Sequence, residues 1–324
     1  MDEVLRIEDL HTHFATKDGV AKVLNGVSLT IQENSIYALV GESGAGKSMT
    51  ALSILGLVPF PGKVVRGRVL FDGMDLRTLS DDRMRKIRGK EISIVFQDPR
   101  AALNPILTIG AQVAEGVLAH GVASKKEAER MAEGLLAQAG LPDPRRILRS
   151  YPFQLSGGMC QRVMLSIGLA LKPKVLIADE PTSNLDATLQ AELLARLKRL
   201  AREMHVSILL ITHDLGIVAQ MADQVGVMYA GSIVEQATVR ELFRQPRHPY
   251  TWGLFQALPR MDQPVERLRS LRGSAPDPMN LPDHCPFIPR CPKATSRCRL
   301  EPMPPMTEMG PQHTVACYNT ISYD

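Results

Sequence analysis

Cysteine is scarce, with five in 324 residues, and long apolar runs are missing altogether. Disulfides are therefore not the main cross-link of this chain, which is long enough to bury a large core without covalent staples. The longest apolar runs, such as VSILLI at 206–211, have the length of buried strands. They fall well short of the eighteen or so residues a membrane-spanning helix needs. The first residues, MDEVLRIEDL, lack the basic start and apolar core of a secretory signal, so export is not expected. Charge of one sign is also lacking: 38 basic side chains face 34 acidic ones, spread along the chain for a net +4. That balance argues against a protein held on nucleic acid mainly by a cationic surface. Internal repeats and low-complexity tracts are absent, and a cytoplasmic protein is the expectation.

What the chain has is unevenly placed. Fourteen of 23 prolines and four of five cysteines lie after residue 245. Length alone suggests about two domains, and this asymmetry places the division there, as 1–245 and 246–324. Residues 4–40 read as strands (VLRIEDL, VLNGVSLTI, SIYALV), and VVRGRVLF and EISIVF read as further ones. From about 106 to 172 the pattern turns helical. VLIAD at 175–179 and VSILLIT at 206–212 are continuous apolar runs suited to strands buried on both faces, with an amphipathic helix over 186–204 between them. Alternating strands and helices of this kind indicate an α/β core with a parallel sheet.

Three motifs carry chemistry. Gly41-Glu-Ser43-Gly44-Ala45-Gly46-Lys47-Ser48 fits G-x-x-x-x-G-K-[ST] between a strand and a helix. Glycines let successive amides turn toward phosphate oxygens, Lys47 supplies a point charge, Ser48 can ligate Mg²⁺, and the helix adds its positive dipole end. A chance match in a chain this long has a probability of roughly 1%. In VLIADE, Asp179 at the end of a buried strand can reach the Mg²⁺ shell, and Glu180 is then placed to polarise an attacking water. An Asp-Glu pair after a strand also caps a following helix, but beside a glycine loop the chemical reading prevails. In LSGGM, Ser156 offers a hydroxyl, and Gly157 and Gly158 offer unobstructed amides at a helix start, which suits a γ-phosphate. Alone, this third motif would read as an N-cap.

The order of the three resembles ATP-binding cassette (ABC) ATPases, a P-loop NTPase fold with a RecA-like parallel core, an antiparallel β subdomain and an inserted helical subdomain. The resemblance implies that the signature Ser156-Gly157-Gly158 closes over ATP held by an opposite subunit. It implies that Gln97 in VFQDP senses Mg²⁺ and a membrane partner. It further implies that Asp186 in SNLD is the D-loop aspartate, that His213 in ITHD contacts the γ-phosphate, and that Phe14 stacks on adenine. Asn184 departs from the alanine usual in that D-loop. QDPRAALNPILTIG at 97–110, YPFQLSGGMCQRVM at 151–164 and RHPYTWGL at 247–254 are similar to the ATPase subunits of dipeptide and oligopeptide importers. That family implies two separate transmembrane permease subunits, a second ATPase subunit (hetero- or homodimer), an extracytoplasmic substrate-binding protein, no nucleic-acid partner, and a peripheral location on the cytoplasmic membrane face. Related subunits serve nickel chelates, oligosaccharides or antimicrobial peptides. A DNA-repair ABC ATPase would carry a long coiled coil or zinc insertion, whereas only 109 positions separate Lys47 from Ser156.

Cys285, Cys291, Cys298 and Cys317 are spaced by five, six and eighteen intervening residues. Four thiolates can hold tetrahedral zinc or an iron–sulfur cluster, and ligand softness does not separate the two. The lack of a close C-x₂₋₄-C pair weakens the zinc-ribbon reading. Resemblance to the cysteine-bearing extension of peptide-importer ATPases implies a [4Fe-4S] cluster as the occupant. Cys160, beside the signature, reads as a bland helix residue ahead of a thiol switch. His11 and His13 alternate as on a strand and read as surface imidazoles with no carboxylate paired to them. His248 in HPY reads as structural, and DDRMRKIRGK at 81–90 as a solvated helix face.

Overall fold

The computed structural model describes residues 2–183, 185–257 and 271–323. Asn184, flagged in the sequence, lies outside them. The strands are β1 (Glu3–Thr16), β2 (Gly19–Gln32), β3 (Ile36–Val40), β4 (Gly62–Phe71), β5 (Met74–Asp75), β6 (Ile92–Val95), β7 (Val175–Asp179), β8 (Ser207–Thr212), β9 (Gln224–Tyr229), β10 (Ser232–Thr238), β11 (Thr307–Gly310) and β12 (His313–Val315). The helices are α1 (Lys47–Ile54), α2 (Asp81–Ile87), α3 (Pro99–Ala102), α4 (Ile109–Ala119), α5 (Lys125–Gln138), α6 (Pro144–Arg149), α7 (Gly157–Leu169), α8 (Ala187–Met204), α9 (Leu215–Met221), α10 (Val239–Arg244), α11 (Pro249–Gln256) and α12 (Ser296–Leu300).

Two compact units share this chain. One comprises residues 1–6, 30–36 and 70–211, the other 7–29, 37–69 and 212–324. In the first, β6, β7 and β8 run parallel in the order β8-β7-β6, with Ile92 opposite Val175 and Val175 opposite Ser207. Every residue of β7 and β8 is buried, so their apolar runs serve two faces at once. Helices α4 to α7 fill the stretch expected to be helical. Ser124 and Glu127 form a capping box at the start of α5. Asp186 caps α8 by accepting from the amides of Thr188 and Leu189, and α8 buries Leu193, Leu194, Leu197, Leu200 and Ala201 as one stripe.

In the second unit, β3 pairs parallel with β9, β9 antiparallel with β10, and β10 antiparallel with β12, in the order β11-β12-β10-β9-β3. The division expected at residue 245 is not where compactness breaks. Phe287, from the proline- and cysteine-rich stretch, packs in one core with Ala38 and Val40 of β3, Val225 and Val227 of β9, and Tyr250 of α11. The C-terminal stretch builds on the same hydrophobic cluster as the strand that precedes the glycine loop. The physical reason is that a short segment of turns and loops cannot bury a core of its own.

Buried polar groups fasten it there. Glu235 on β10 is 0% exposed and accepts from the amides of Arg247 (2.7 Å) and His248 (2.9 Å). The imidazole of His313 on β12 lies 2.7 Å from the same carboxylate. His248 is itself buried and caps α11, its Nδ1 accepting from the amide of Tyr250, which bears out a structural role. Burial lowers its pKa to about 4.

Candidate nucleotide site

The second unit holds the glycine loop. Lys47 opens α1, is buried, and its Nζ donates to the carbonyls of Gly41 (2.8 Å) and Glu42 (3.0 Å). Gly46, the N-cap, sits at φ 105°, and a Cβ there would come within 2.8 Å of both Met228 and Leu24 side chains. At Gly41 a Cβ would lie 2.2 Å from the carbonyl oxygen of Met228. Glycine is required at both positions by space as well as by dihedral. Ala45 is buried, and its carbonyl accepts from the amide of Gly231. Ser43, Gly44 and Ser48 face solvent. Phe14 is half-buried, and Gly62 leaves room for its ring, since a Cβ there would lie 2.5 Å from it. His213 follows β8 as an exposed residue, and Asp214 caps α9.

The first unit holds the acidic pair and the signature. Asp179 ends β7 and is buried. Glu180 follows in a left-handed conformation (φ 45°), its amide bonded to the carbonyl of Ile211. A positive φ in a non-glycine residue is uncommon and concentrates at functional positions. Gln97 Nε2 donates to Glu180 Oε2 at 2.9 Å, which brings together two of the residues selected from sequence. Ser183 and Gln161 were not selected. Ser183 Oγ donates to the carbonyls of Gln97 (3.2 Å) and Glu180 (3.1 Å), and Gln161 Nε2 donates to the carbonyl of Ser183 (2.8 Å). Gln161 lies five residues after Ser156 on α7, so this chain of bonds joins the signature helix to the acidic pair. A polar side chain on the buried side of that helix was the signal that would have found it. Gly157, Gln161 and Ser183 line a cavity of about 430 Å³ with Asp98, Pro99 and Arg100. Ser156 caps α7, accepting from the amide of Met159, and nothing crowds Gly157.

Lys47, Ser48, Phe14 and His213 therefore sit in one unit, and Gln97, Ser156, Gly157, Gly158, Asp179, Glu180 and Asp186 in the other. Each unit carries its own half of the expected nucleotide machinery.

At the C-terminal cysteines the expectation needs correction. Cys285, Cys291, Cys298 and Cys317 do line one small cavity, of about 20 Å³, room for a water-sized guest. Among the described residues, however, no three His, Cys, Asp or Glu are placed to hold a metal ion. The geometry supplies a four-thiol cavity, not an assembled metal site. Desolvation raises the thiols of Cys285 to about 11 and Cys317 to about 12, and lifts that of Cys291. Neighbouring cysteines add to each of these three shifts. Cys160 is buried, its thiol directed at the carbonyl of Pro152, and burial raises its pKa, in keeping with a packed helix residue. His11, in contrast to its surface reading, has a carboxylate partner: its Nε2 lies 2.9 Å from Asp9 Oδ1.

Comparison with known proteins agrees with the motifs. Residues 24–183 match the ABC transporter family model, and 234–298 match the oligopeptide/dipeptide transporter C-terminal region. The dipeptide transport ATP-binding protein DppD of Bacillus subtilis (strain 168) is 46% identical over 98% of this chain and 95% of its own length. The chain belongs to the ABC transporter ATP-binding family. DppD of Escherichia coli (strain K12) is 42% identical to this cassette, over 92% of it and 91% of the relative. The oligopeptide transport ATP-binding protein AppD of Bacillus subtilis (strain 168) is 45% identical, over 98% and 97%. Among solved structures, a dimeric post-hydrolysis state of an ATP-binding cassette bound to ADP and Pi superposes with a TM-score of 0.66 at 28% identity, covering 73% of this cassette and 99% of that chain. CbiO1 from Clostridium perfringens, part of an ABC transporter complex, gives 0.64 at 29% identity, over 75% and 92%.

Proposed function

We propose that this cassette is the ATP-hydrolysing subunit of an importer of dipeptides or oligopeptides. The observation that carries the reading is the complete, correctly ordered set of nucleotide motifs in a chain collinear with peptide-transport relatives over nearly its whole length. Lys47 and the amides of Gly44 to Ser48 would hold the phosphates; Ser48, Asp179 and Gln97 are the residues that would hold Mg²⁺, whose charge would offset that of the transferred phosphoryl group. Glu180 takes the role of polarising the attacking water. The left-handed turn at Glu180 and its bond from Gln97 support that assignment, since together they fix the carboxylate beside the residue that reports on the metal. His213 contacts the γ-phosphate, and Phe14 supports the adenine. Ser156, Gly157, Gly158 and Asp186 serve the ATP of a second cassette across a dimer.

Among the described residues no helix is long and apolar enough to cross a membrane, so the reading assigns passage of the peptide to separate permease subunits. A substrate-binding protein would deliver it, and the cassette would lie peripherally on the membrane. The four-thiol cavity, of about 20 Å³, does not fit a [4Fe-4S] cluster, and no further cofactor belongs to the reading. For the main reading, the tagged chain is purified from membranes with its permeases and reconstituted in vesicles. Peptide plus binding protein should stimulate ATP hydrolysis, and Lys47→Ala should abolish it. Tight binding to duplex DNA at physiological salt with no permease recovered would overturn it.

A further inference from the structure

Between Cys285 and Cys291 runs a short turn, Ile288–Arg290, whose last residue leaves the cysteine cavity and enters the glycine loop. Arg290 Nη1 and Nη2 donate to Glu42 Oε2 (2.7 Å) and Oε1 (2.8 Å), a fork-on-fork pair. The guanidinium is 6% exposed and the carboxylate 28%. It lies 5.8 Å from the Tyr229 ring and 5.9 Å from that of Phe287, and its Nε donates to the carbonyl of Arg272. Each guanidinium nitrogen of Arg290 thereby has a partner. Glu42 in turn is held by its backbone: its amide donates to Tyr250 Oη (2.9 Å), and its carbonyl accepts from Lys47 Nζ.

Glu42 is an awkward residue for this loop. A loop that receives a polyanion gains nothing from a carboxylate, which repels the ligand over the distances at which partly buried charges still act. We propose that Arg290 is a positioning residue for nucleotide binding: it neutralises Glu42 and turns it away from the phosphate path, so that the cysteine-bearing C-terminal segment sets the affinity of the glycine loop. The inference rests on the ATP-binding reading above, deepens it, and concerns no catalytic group. Its logic is electrostatic, and it yields an asymmetry that a purely structural clamp would not. Removing the cation harms binding; removing the anion as well restores it.

The test is calorimetric titration of the full-length chain with MgADP, alongside KM and kcat for ATP. Arg290→Ala should raise the Kd about five- to tenfold and raise KM with kcat retained. Arg290→Lys, which keeps the charge and loses the fork, should recover most of that loss. Glu42→Gln should bind at least as tightly as wild type, and the double variant Glu42→Gln/Arg290→Ala should return close to wild type. An unchanged Kd in Arg290→Ala overturns the proposal, as does a loss that Glu42→Gln fails to rescue. Should Arg290→Ala prove insoluble, Glu42→Gln decides alone, because weaker binding by that variant contradicts a repulsive carboxylate. The underlying reading is checked separately: if wild type binds MgADP and Lys47→Ala does not, a negative result at Arg290 bears on this inference only.

Discussion

Glu235→Ala should loosen the whole attachment of the C-terminal stretch, and its cost can be worked from the contacts. The carboxylate is fully buried and accepts from two backbone amides and one imidazole, all within 2.9 Å. Alanine leaves two buried groups and the part-buried amide of Arg247 without that acceptor, each worth about 1–3 kcal/mol when orphaned, with some recovered as water enters the gap. Loss of one partner from a buried charged cluster costs about 3–5 kcal/mol, a large share of the stability of an ordinary domain. Glu235→Gln keeps one acceptor oxygen but places an amide against a donor, so it should cost about half as much. The sole tryptophan, Trp252, lies on α11 just after His248 and reports this region directly. Urea unfolding followed by its fluorescence should show the earliest transition shifted by that amount. A change below about 1 kcal/mol for Glu235→Ala would mean that the C-terminal stretch is held mainly by Phe287 and its apolar neighbours, and the polar argument would fail.

Further expectations concern single groups. Glu180→Gln should lower ATP turnover by roughly 10²–10⁴-fold while MgATP still binds; unaltered hydrolysis would refute the water-polarising role. Stability should be pH-dependent through His248. Above about 6.5 both states hold it neutral and the full stability is present; as pH falls toward 4 the unfolded chain takes up a proton that the folded one refuses, costing roughly 3 kcal/mol. His248→Asn, which preserves the helix cap, should flatten that part of the pH profile measured by thermal unfolding. Cys160 should resist alkylation at pH 8 in the native chain and react once urea is added, as read by mass spectrometry, because it is buried and its thiol is raised; native labelling would show access to the signature helix that the packing forbids.

The nucleotide motifs were legible because each is local. Gly41 to Ser48 needs only its own backbone and a helix start, and β7 and β8 announce themselves as unbroken apolar runs. The helical stretch, too, has its own periodicity and caps. What escaped was nonlocal. Strands β11 and β12 are four and three residues long, too short for any alternation to register. β12 pairs with β10, far upstream, so no pattern near residue 313 signals a strand. Glu42 occupies an unconstrained position of the glycine motif, and Arg290 stands among prolines and cysteines with no charged partner near it in sequence; 248 positions separate the two. Ser183 and Gln161 are polar residues whose meaning is a hydrogen bond to backbone, which sequence does not display. The four cysteines show the reverse error: chemistry was read from residue type, while the distances that decide ligation belong to the fold.

The pairing of β10 with β12 also bears on how the polypeptide is made. Glu235 meets Val315 eighty residues further along, so a ribosome adding 5–20 residues each second leaves β10 without that neighbour for roughly 4–16 s. Through that interval one edge of β10 stands open while Glu235 waits for His313. An open edge is a template for pairing with another chain. A transcript truncated after codon 245 would prolong this exposure indefinitely, so premature termination late in this gene should yield an aggregating product instead of a smaller working ATPase.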